Sequence, residues 1–476
     1  MKRALLFVLV WVLLAVTLAA ANPPSPLLLD GFFDDWSGIP LVRDPGGAGA
    51  DGINLDSVAV LAADSVIAVH FTDRAETILQ GNNSIRLLAD LDNNPATGMP
   101  VDGAGVDLVW SFGKRSGVLY SANGEERVIG TEDINLVTMP SMSSSEFEIG
   151  FRRNFVPGST LRLRLESTAK NGDSLPDRGF VDVPIVESEP LPPLSLEKQD
   201  PNHLRLMLWN VWDDHYRHQP ESFTRIIRAA NPDVMILVDA SAGAGEIKEK
   251  VEEWLPNSPT GFWNVRHQGE DVAVASPWPI LNGWDIPGMP RAGLFLVQFP
   301  EPFTGRILIA AIHPICCSND SIRQQQVDAL LAFIRDAYTS GGELSVDPSI
   351  PLLIIGDTNL VGWRSQYFGY TLGRIHDEKT FGSSFNTNGP FPLTDIRSRH
   401  PEAPYSYSWR DDSTAFGPAR IDLLFLPTKR LGIGTNYFLD TRTLSAATRE
   451  RYGLKWEDNL NASDHIPHIV DIYPVK

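Results

Sequence analysis

Cysteine is almost absent. The 476-residue chain has two, Cys316 and Cys317, and they are adjacent. A framework of long-range disulfides is therefore excluded, and stability has to come from a packed core. In an oxidising compartment the pair can close on itself as a vicinal disulfide or bridge two chains; two free thiols in a loop are the alternative. Basic residues are also in deficit, with 40 Lys and Arg against 59 Asp and Glu and a net charge of −19. Nothing in the chain resembles the basic stripe of a dedicated nucleic-acid-binding protein. An acidic protein repels polyanions at long range, so a nucleic-acid substrate would depend on divalent cations and local contacts.

What is present describes a soluble acidic globular protein: 43% of residues are hydrophobic, and the length suffices for two or three domains with a large core. Lys2 and Arg3 precede an apolar run from Ala4 to Ala21 that ends in Ala19-Ala20-Ala21. This reads as a cleaved signal peptide over residues 1–21, giving a secreted or periplasmic protein. An uncleaved anchor is the alternative, because the run is about long enough to span a bilayer. No cysteine follows the run, so a bacterial lipoprotein is not expected.

Prolines and charges without periodicity mark a linker over 185–201, including Pro190, Pro192, Pro193 and Lys198-Gln199-Asp200-Pro201. Ahead of it, over 27–184, short alternating runs such as Leu161-Arg162-Leu163-Arg164-Leu165 are separated by Gly, Asp and Asn. That pattern predicts an all-β sandwich. Asp30-Gly31-Phe32-Phe33-Asp34-Asp35-Trp36 resembles the opening of family 9 carbohydrate-binding modules. The loop Asp90-Leu91-Asp92-Asn93-Asn94-Pro95-Ala96-Thr97-Gly98, with Asp107 after it, resembles a second signature of the same group. Asp90, Asp92, Asn94 and Asp107 gather hard oxygen ligands suited to Ca²⁺; an Asp/Asn-rich β-turn accounts for the same residues. A polysaccharide ligand is what the resemblance implies, with Trp36 and Trp110 as stacking candidates unless they belong to the core.

Over 202–476 the pattern is mixed. Apolar runs at Leu204–Val211, Asp233–Val238, Asp271–Ala275, Leu294–Phe299, Ile307–Ile312, Leu352–Ile355, Ile421–Leu426 and Ile466–Ile472 predict strands. Phe223, Ile226, Ile227 and Ala230 fall at helical spacing, as do Val327, Leu330, Leu331 and Ile334, with Asp320 or Ser321 as a cap. Consecutive strands without an intervening helix exclude a simple doubly wound sheet. They predict an α/β four-layer sandwich, two mixed sheets flanked by helices.

The chemistry gathers at strand ends. Ile354-Ile355-Gly356-Asp357-Thr358-Asn359 ends an apolar run in an acid and an amide, and Ser463-Asp464-His465 sets an acid beside an imidazole. Such groups can hold a leaving oxygen, donate to a nonbridging oxygen and act on the nucleophile of a phosphate ester. Trp209-Asn210-Val211, Pro232-Asp233 to Val238-Asp239, the strand-ending His313, Gly356-Asp357-Thr358-Asn359, Arg420-Ile421-Asp422 and Ser463-Asp464-His465 occur in the order of the endonuclease/exonuclease/phosphatase superfamily, which residues 203–476 resemble. Asp239 stands where that family has a metal-binding Glu, and Thr358 replaces an aromatic or aliphatic residue.

The resemblance implies catalytic roles for His465, Asp357, Asn359, Asp422, His313 and Asn210. It implies metal contacts from Asp239, Asp464 and Asn210, and Mg²⁺ or Mn²⁺ as the cofactor. Arg323 and Asp395 are expected to be structural. The expected function is a metal-dependent phosphoesterase acting on a phosphodiester by in-line water attack, with nucleic acid or a phospholipid head group as substrate and no obligate protein partner. No long hydrophobic hairpin of the kind used for membrane insertion stands in this half. A phosphomonoesterase is one alternative. A catalytically weak or inactive surface- or carbohydrate-binding protein is the other, motivated by Asp239 and Thr358.

Overall fold

The structure, a computed structural model, describes residues 25–475 apart from 45, 64, 302, 304, 343 and 386–389. The expected signal peptide lies outside the described residues. Among those described, no helix is long and apolar enough to cross a membrane.

From Val42–Arg43 to Val181–Glu187, twelve strands join into one continuous sheet. Its alternation is plain in Thr160–Ser167, where Leu161, Leu163 and Leu165 are buried while Arg162, Arg164 and Glu166 stay partly exposed. Inward residues of distant strands, such as Val60, Val69, Leu87, Phe147 and Leu163, share one core. Trp110 is 2% exposed and lies in that core, and Trp36 is 6% exposed, so neither offers a face to a sugar. The carboxylates of Asp90, Asp92 and Asp107 do come together. Their oxygens accept backbone N–H groups of Asn94, Gly105 and Leu91, and the Asn94 side-chain oxygen accepts from Ala96. The loop is thus satisfied as a self-bonded turn. The strand Val181–Glu187 runs three residues past 184, and Leu194 and Leu196 pack onto the core of the following half.

That half is built on two six-stranded mixed sheets. The first runs in the order Asn264–Gln268, Val272–Ser276, Val234–Val238, Leu204–Asn210, His468–Pro474, Leu431–Phe438. The second runs Ile280–Ile286, Met289–Gln298, Arg306–Ile312, Leu352–Asp357, Asp422–Leu426, Thr394–Asp395. One core lies between the sheets, and one lies on each outer face. Helices Pro220–Ala230 and Ala244–Trp254 cover the first sheet, and Asp320–Ala337 and Arg364–Leu372 the second. Central strands are buried on both faces, which is why they read as unbroken Val, Ile and Leu runs. The helix expected to be capped by Asp320 or Ser321 begins at Asp320 and has Asn319 as its N-cap.

The two halves share a fifth core, in which Leu29, Trp36, Ala59 and Met139 meet Tyr405, Tyr407, Phe438 and Ile466. Beside it, Glu148 accepts from Gly31 N–H at 2.6 Å and from Trp36 Nε1 at 3.0 Å. Burial, with Asp30 as a like-charged neighbour, raises the Asp35 carboxyl from 3.8 to about 7 despite a bond from Leu28 N–H. Folding therefore takes up a proton at Asp35 between about pH 4 and 7. The stability this lends is full at the low end and is lost as pH rises to 7. Asp35→Asn is expected to match the wild type near pH 4 and to exceed it at pH 8 by at least ~1.4 kcal/mol, the worth of one pKa unit. Thermal melts of both proteins across that range check this; parallel melting curves would refute it.

Candidate active site

Both sheets point the same ends of their strands to one edge of the molecule. Leu204–Asn210 ends in Asn210, Val234–Val238 is followed by Asp239, and Arg306–Ile312 by His313. Asp357 ends its strand opposite Asp422, which begins the antiparallel neighbour. Gly356 is required here by close approach: a Cβ would overlap the Ile312 carbonyl oxygen across the parallel pair. His465 lies just ahead of the strand His468–Pro474.

Asp357 is the hub. Its Oδ2 accepts from Asn210 Nδ2 at 3.1 Å and lies 3.5 Å from His313 Nε2 and 3.7 Å from His465 Nε2. Its Oδ1 accepts the backbone N–H of Asn359 at 2.9 Å. The Asn359 side chain donates to the Pro314 carbonyl at 2.9 Å, which ties it to the loop after His313. All of these residues are buried. On its other nitrogen, His465 Nδ1 is 2.9 Å from Asp422 Oδ2, and the same oxygen accepts from Ser408 Oγ at 2.7 Å. Burial opposes charge on His465, but Asp422 and Asp357 outweigh it and push the imidazole up to about 10. Asp422 is raised by burial, with Asp357 adding to the effect and His465 opposing it.

A second cluster joins Asp239, Asp271 and His313, whose ligand atoms lie within 4.8 Å of one another. Arg291 binds all three: its Nη2 is 2.7 Å from Asp239 Oδ1 and 2.6 Å from His313 Nδ1, and its Nε donates to Asp271. Burial would raise Asp271, but His313 and Arg291 hold it below the ordinary carboxylate range. The other oxygen of Asp239 accepts from Asp213 N–H at 3.0 Å. Trp212, Asp213 and Asp214 all have φ near +50°, as do Asp239 and Asn359. Left-handed backbone is costly for Trp212, and its concentration at the ends of site-bearing strands is typical of functional loops.

Asp464 is the expected site residue that joins neither cluster. Ser463 is extended, so successive side chains point to opposite sides. Ser463 and His465 face inward to the Asn210 carbonyl and Asp422, which turns Asp464 toward Trp409 Nε1 at 2.8 Å. Asp271, Arg291 and Ser408 are the contributors that sequence reading missed. Thr358 is explained by its hydroxyl, which donates to the Ile421 carbonyl at 2.7 Å. Arg323 and Asp395 hold local structure: Arg323 donates to Gln366 and the Ile315 and Cys317 carbonyls, and Asp395 pairs with both terminal nitrogens of Arg420. Cys316 and Cys317 are joined as a vicinal disulfide.

The profile of the Endonuclease/Exonuclease/phosphatase family matches residues 207–465, more than half of the chain. The chain belongs to this family. No curated protein matches it. Solved structures similar to this family member include an endonuclease/exonuclease/phosphatase from Beutenbergia cavernae, 17% identical, covering 57% of this chain and 72% of that one at a TM-score of 0.33. Sphingomyelinase C from Streptomyces griseocarneus is 15% identical, covering 56% and 99% at 0.30. The AP endonuclease LMAP from Leishmania major is 10% identical, covering 60% and 93% at 0.32. Likenesses this distant do not bear on substrate.

Proposed function

We propose that this family member is an exported, divalent-cation-dependent phosphodiesterase that cleaves its ester by direct in-line attack of water. The observation that supports this most is the convergence of Asn210, His313 and His465 on one oxygen of Asp357. With its pKa near 10, His465 is an imidazolium at neutral pH and so serves as a donor to a phosphoryl oxygen gaining charge, not as the base. Asp422 fixes the ring through Nδ1. Asp357 is the group placed to take a proton from the attacking water or return one to the leaving oxygen. Asn210 and Asn359 orient its two oxygens, and His313 adds a second imidazole on the same oxygen.

The donor set fits a hard cation. Asp271 Oδ1 is buried with no hydrogen-bond partner, and Asp239 and His313 complete a cluster of ligand atoms beside it. Carboxylate oxygens suit Mg²⁺ or Mn²⁺, and the cluster supplies two of them beside one imidazole. Bound there, the ion would supply Lewis-acid polarisation of a phosphoryl oxygen. The substrate class is a phosphodiester of nucleic acid or of a phospholipid head group, with the net charge of −19 weighing against a polyanion. One observation favours a second reading, a catalytically weak binding protein: Arg291 already neutralises Asp239 and Asp271.

The test is hydrolysis of bis-(p-nitrophenyl) phosphate and plasmid DNA by the chain from Asn22 onward, in Mg²⁺, Mn²⁺ or EDTA. Turnover is expected with the metals and not with EDTA, and His465→Ala should lower it at least ~10²-fold. Turnover that persists in EDTA, or that survives His465→Ala, would overturn the reading. Plasmid cleavage decides whether nucleic acid is accepted.

A further inference from the structure

The segment from Tyr405 to Arg420 carries no regular helix or strand, only isolated bridges of Tyr405 to Leu29 and of Trp409 to Ala419 and His465. Yet it surrounds His465. Ser408 O accepts from Ile466 N–H at 2.6 Å, Arg410 N–H donates to Asp464 O at 2.9 Å, and Trp409 Nε1 holds the Asp464 carboxylate. Ser408 Oγ shares the Asp422 oxygen that orients the His465 ring. A loop of this kind keeps its shape only as well as its anchors do, and several of those anchors belong to the N-terminal half. Asn135 Oδ1 accepts from Arg410 Nη1 at 2.6 Å, and Asn135 Nδ2 donates to Tyr405 OH at 2.7 Å. Gln80 Oε1 accepts from Gly417 N–H at 2.8 Å, Ser141 Oγ accepts from Arg420 N–H at 2.9 Å, and the Arg115 guanidinium lies 3.9 Å from the centre of the Phe416 ring. Leu29 pairs with Tyr405, and both lie in the core the halves share.

We infer that the N-terminal half is a working part of the active site, and that Asn135 is a positioning residue for His465, acting through Arg410 and the backbone and side chain of Asp464. Asn135 stands immediately after the short helix Thr131–Ile134 with φ of 53°. Left-handed backbone there is tolerated by Asn and Gly, and its amide faces two residues of the strap at once. It lies 275 positions from Arg410, so the bond ties one half of the chain to the other. Arg410 is largely buried, and its remaining side-chain bond goes to Asp412 at 2.7 Å, within the strap itself. Loss of the Asn135 contact therefore frees the strap on the side that bears on Asp464 and His465.

The inference rests on the proposed phosphodiesterase for its kinetic arm only. The experiment compares the full chain with Asn135→Gly, which keeps the left-handed backbone and removes both side-chain bonds, and Asn135→Asp, which keeps an acceptor for Arg410. With bis-(p-nitrophenyl) phosphate and Mg²⁺, Asn135→Gly should lower kcat about tenfold with KM within about twofold, since small misplacements of a reacting group carry penalties of this size or greater. Asn135→Asp should recover most of kcat. The melting temperatures of all three should agree within about 2 °C, because the loss of one or two part-buried hydrogen bonds is small against the unfolding entropy of a chain this long. In parallel, ¹⁵N-histidine spectra should show the His465 ring resonances shifted in Asn135→Gly and restored in Asn135→Asp. Shifted resonances in a protein that has no turnover of any kind would leave the positioning in place and defeat the phosphodiesterase. An active wild type with unchanged kcat and His465 resonances in Asn135→Gly would defeat the positioning. So would a kcat loss that Asn135→Asp does not restore, or one that follows a fall in melting temperature.

Discussion

Asp357→Asn is expected to lower turnover of bis-(p-nitrophenyl) phosphate by roughly 10³–10⁴-fold, close to the full contribution of a positioned acid–base group together with the electrostatics it organises. The replacement is nearly isosteric, so the strand Leu352–Asp357 and the Asn359 N–H bond can survive it. What cannot survive is the carboxylate oxygen that accepts from Asn210 and faces both imidazoles. An amide turned to keep its oxygen toward Asn210 presents its NH₂ to Asn359 N–H, and the reverse turn sets NH₂ against Asn210 Nδ2 and the two imidazoles. The variant also removes one of the two carboxylates that hold a proton on His465. The imidazole pKa should then fall from about 10, so the variant's residual activity should decline at high pH sooner than that of the wild type. Steady-state kinetics across pH 6–10, with a ¹⁵N titration of His465, measure both effects. A kcat within tenfold of wild type would sink the assignment of Asp357 as the central group.

Much of this site could be read from one sequence because its members end strands. An apolar run stopped by Gly-Asp or followed by His is a local signal, as at Asp357 and His313, and Asn210, Asp422 and His465 likewise adjoin apolar runs. Asp271 and Arg291 had none. Asp271 precedes a strand of the first sheet, while Arg291 and His313 belong to the second, and the sheets meet only through tertiary packing. Asp464 stands apart from both clusters because extended backbone puts it on the opposite face from His465, where Trp409 Nε1 holds one of its oxygens. The strands Asn264–Gln268 and Ile280–Ile286 escaped because they are half-exposed and polar, with no alternation to detect. The anchoring of Tyr405–Arg420 by the N-terminal half was invisible in principle, since Asn135 and Gln80 are ordinary turn and polar residues until the fold brings Arg410 and Gly417 to them.

The largest expected loss of stability falls on the buried pair Arg205–Asp471. Arg205 stands opposite Asp471 in the antiparallel pairing of Leu204–Asn210 with His468–Pro474, the two strands that frame Asn210 and His465. Both residues are almost wholly buried, at 3% and 0% exposed. The guanidinium makes a two-pronged contact, Nε to Oδ1 at 2.6 Å and Nη2 to Oδ2 at 2.9 Å. Its Nη1 donates to the Leu196 and Ala230 carbonyls at 2.8 Å each, so every donor it has toward the interior is engaged. Asp471→Ala leaves a guanidinium in the core without its paired carboxylate, and breaking a buried pair in this way costs about 3–5 kcal/mol. The pair is not thereby a large net source of stability, since both charges had to be stripped of water to make it. Replacing both partners with apolar residues, Arg205→Met with Asp471→Leu, should therefore cost less than Asp471→Ala alone. The Leu196 and Ala230 carbonyls would still lose a donor, which keeps the double variant below wild type. Urea denaturation followed by tryptophan fluorescence gives the three free energies. A double variant less stable than Asp471→Ala would mean that the loss comes from packing and the two carbonyl bonds rather than from the stranded charge. A loss under ~1 kcal/mol for Asp471→Ala would mean that water reaches Arg205 and that this end of the central strand pair opens in solution.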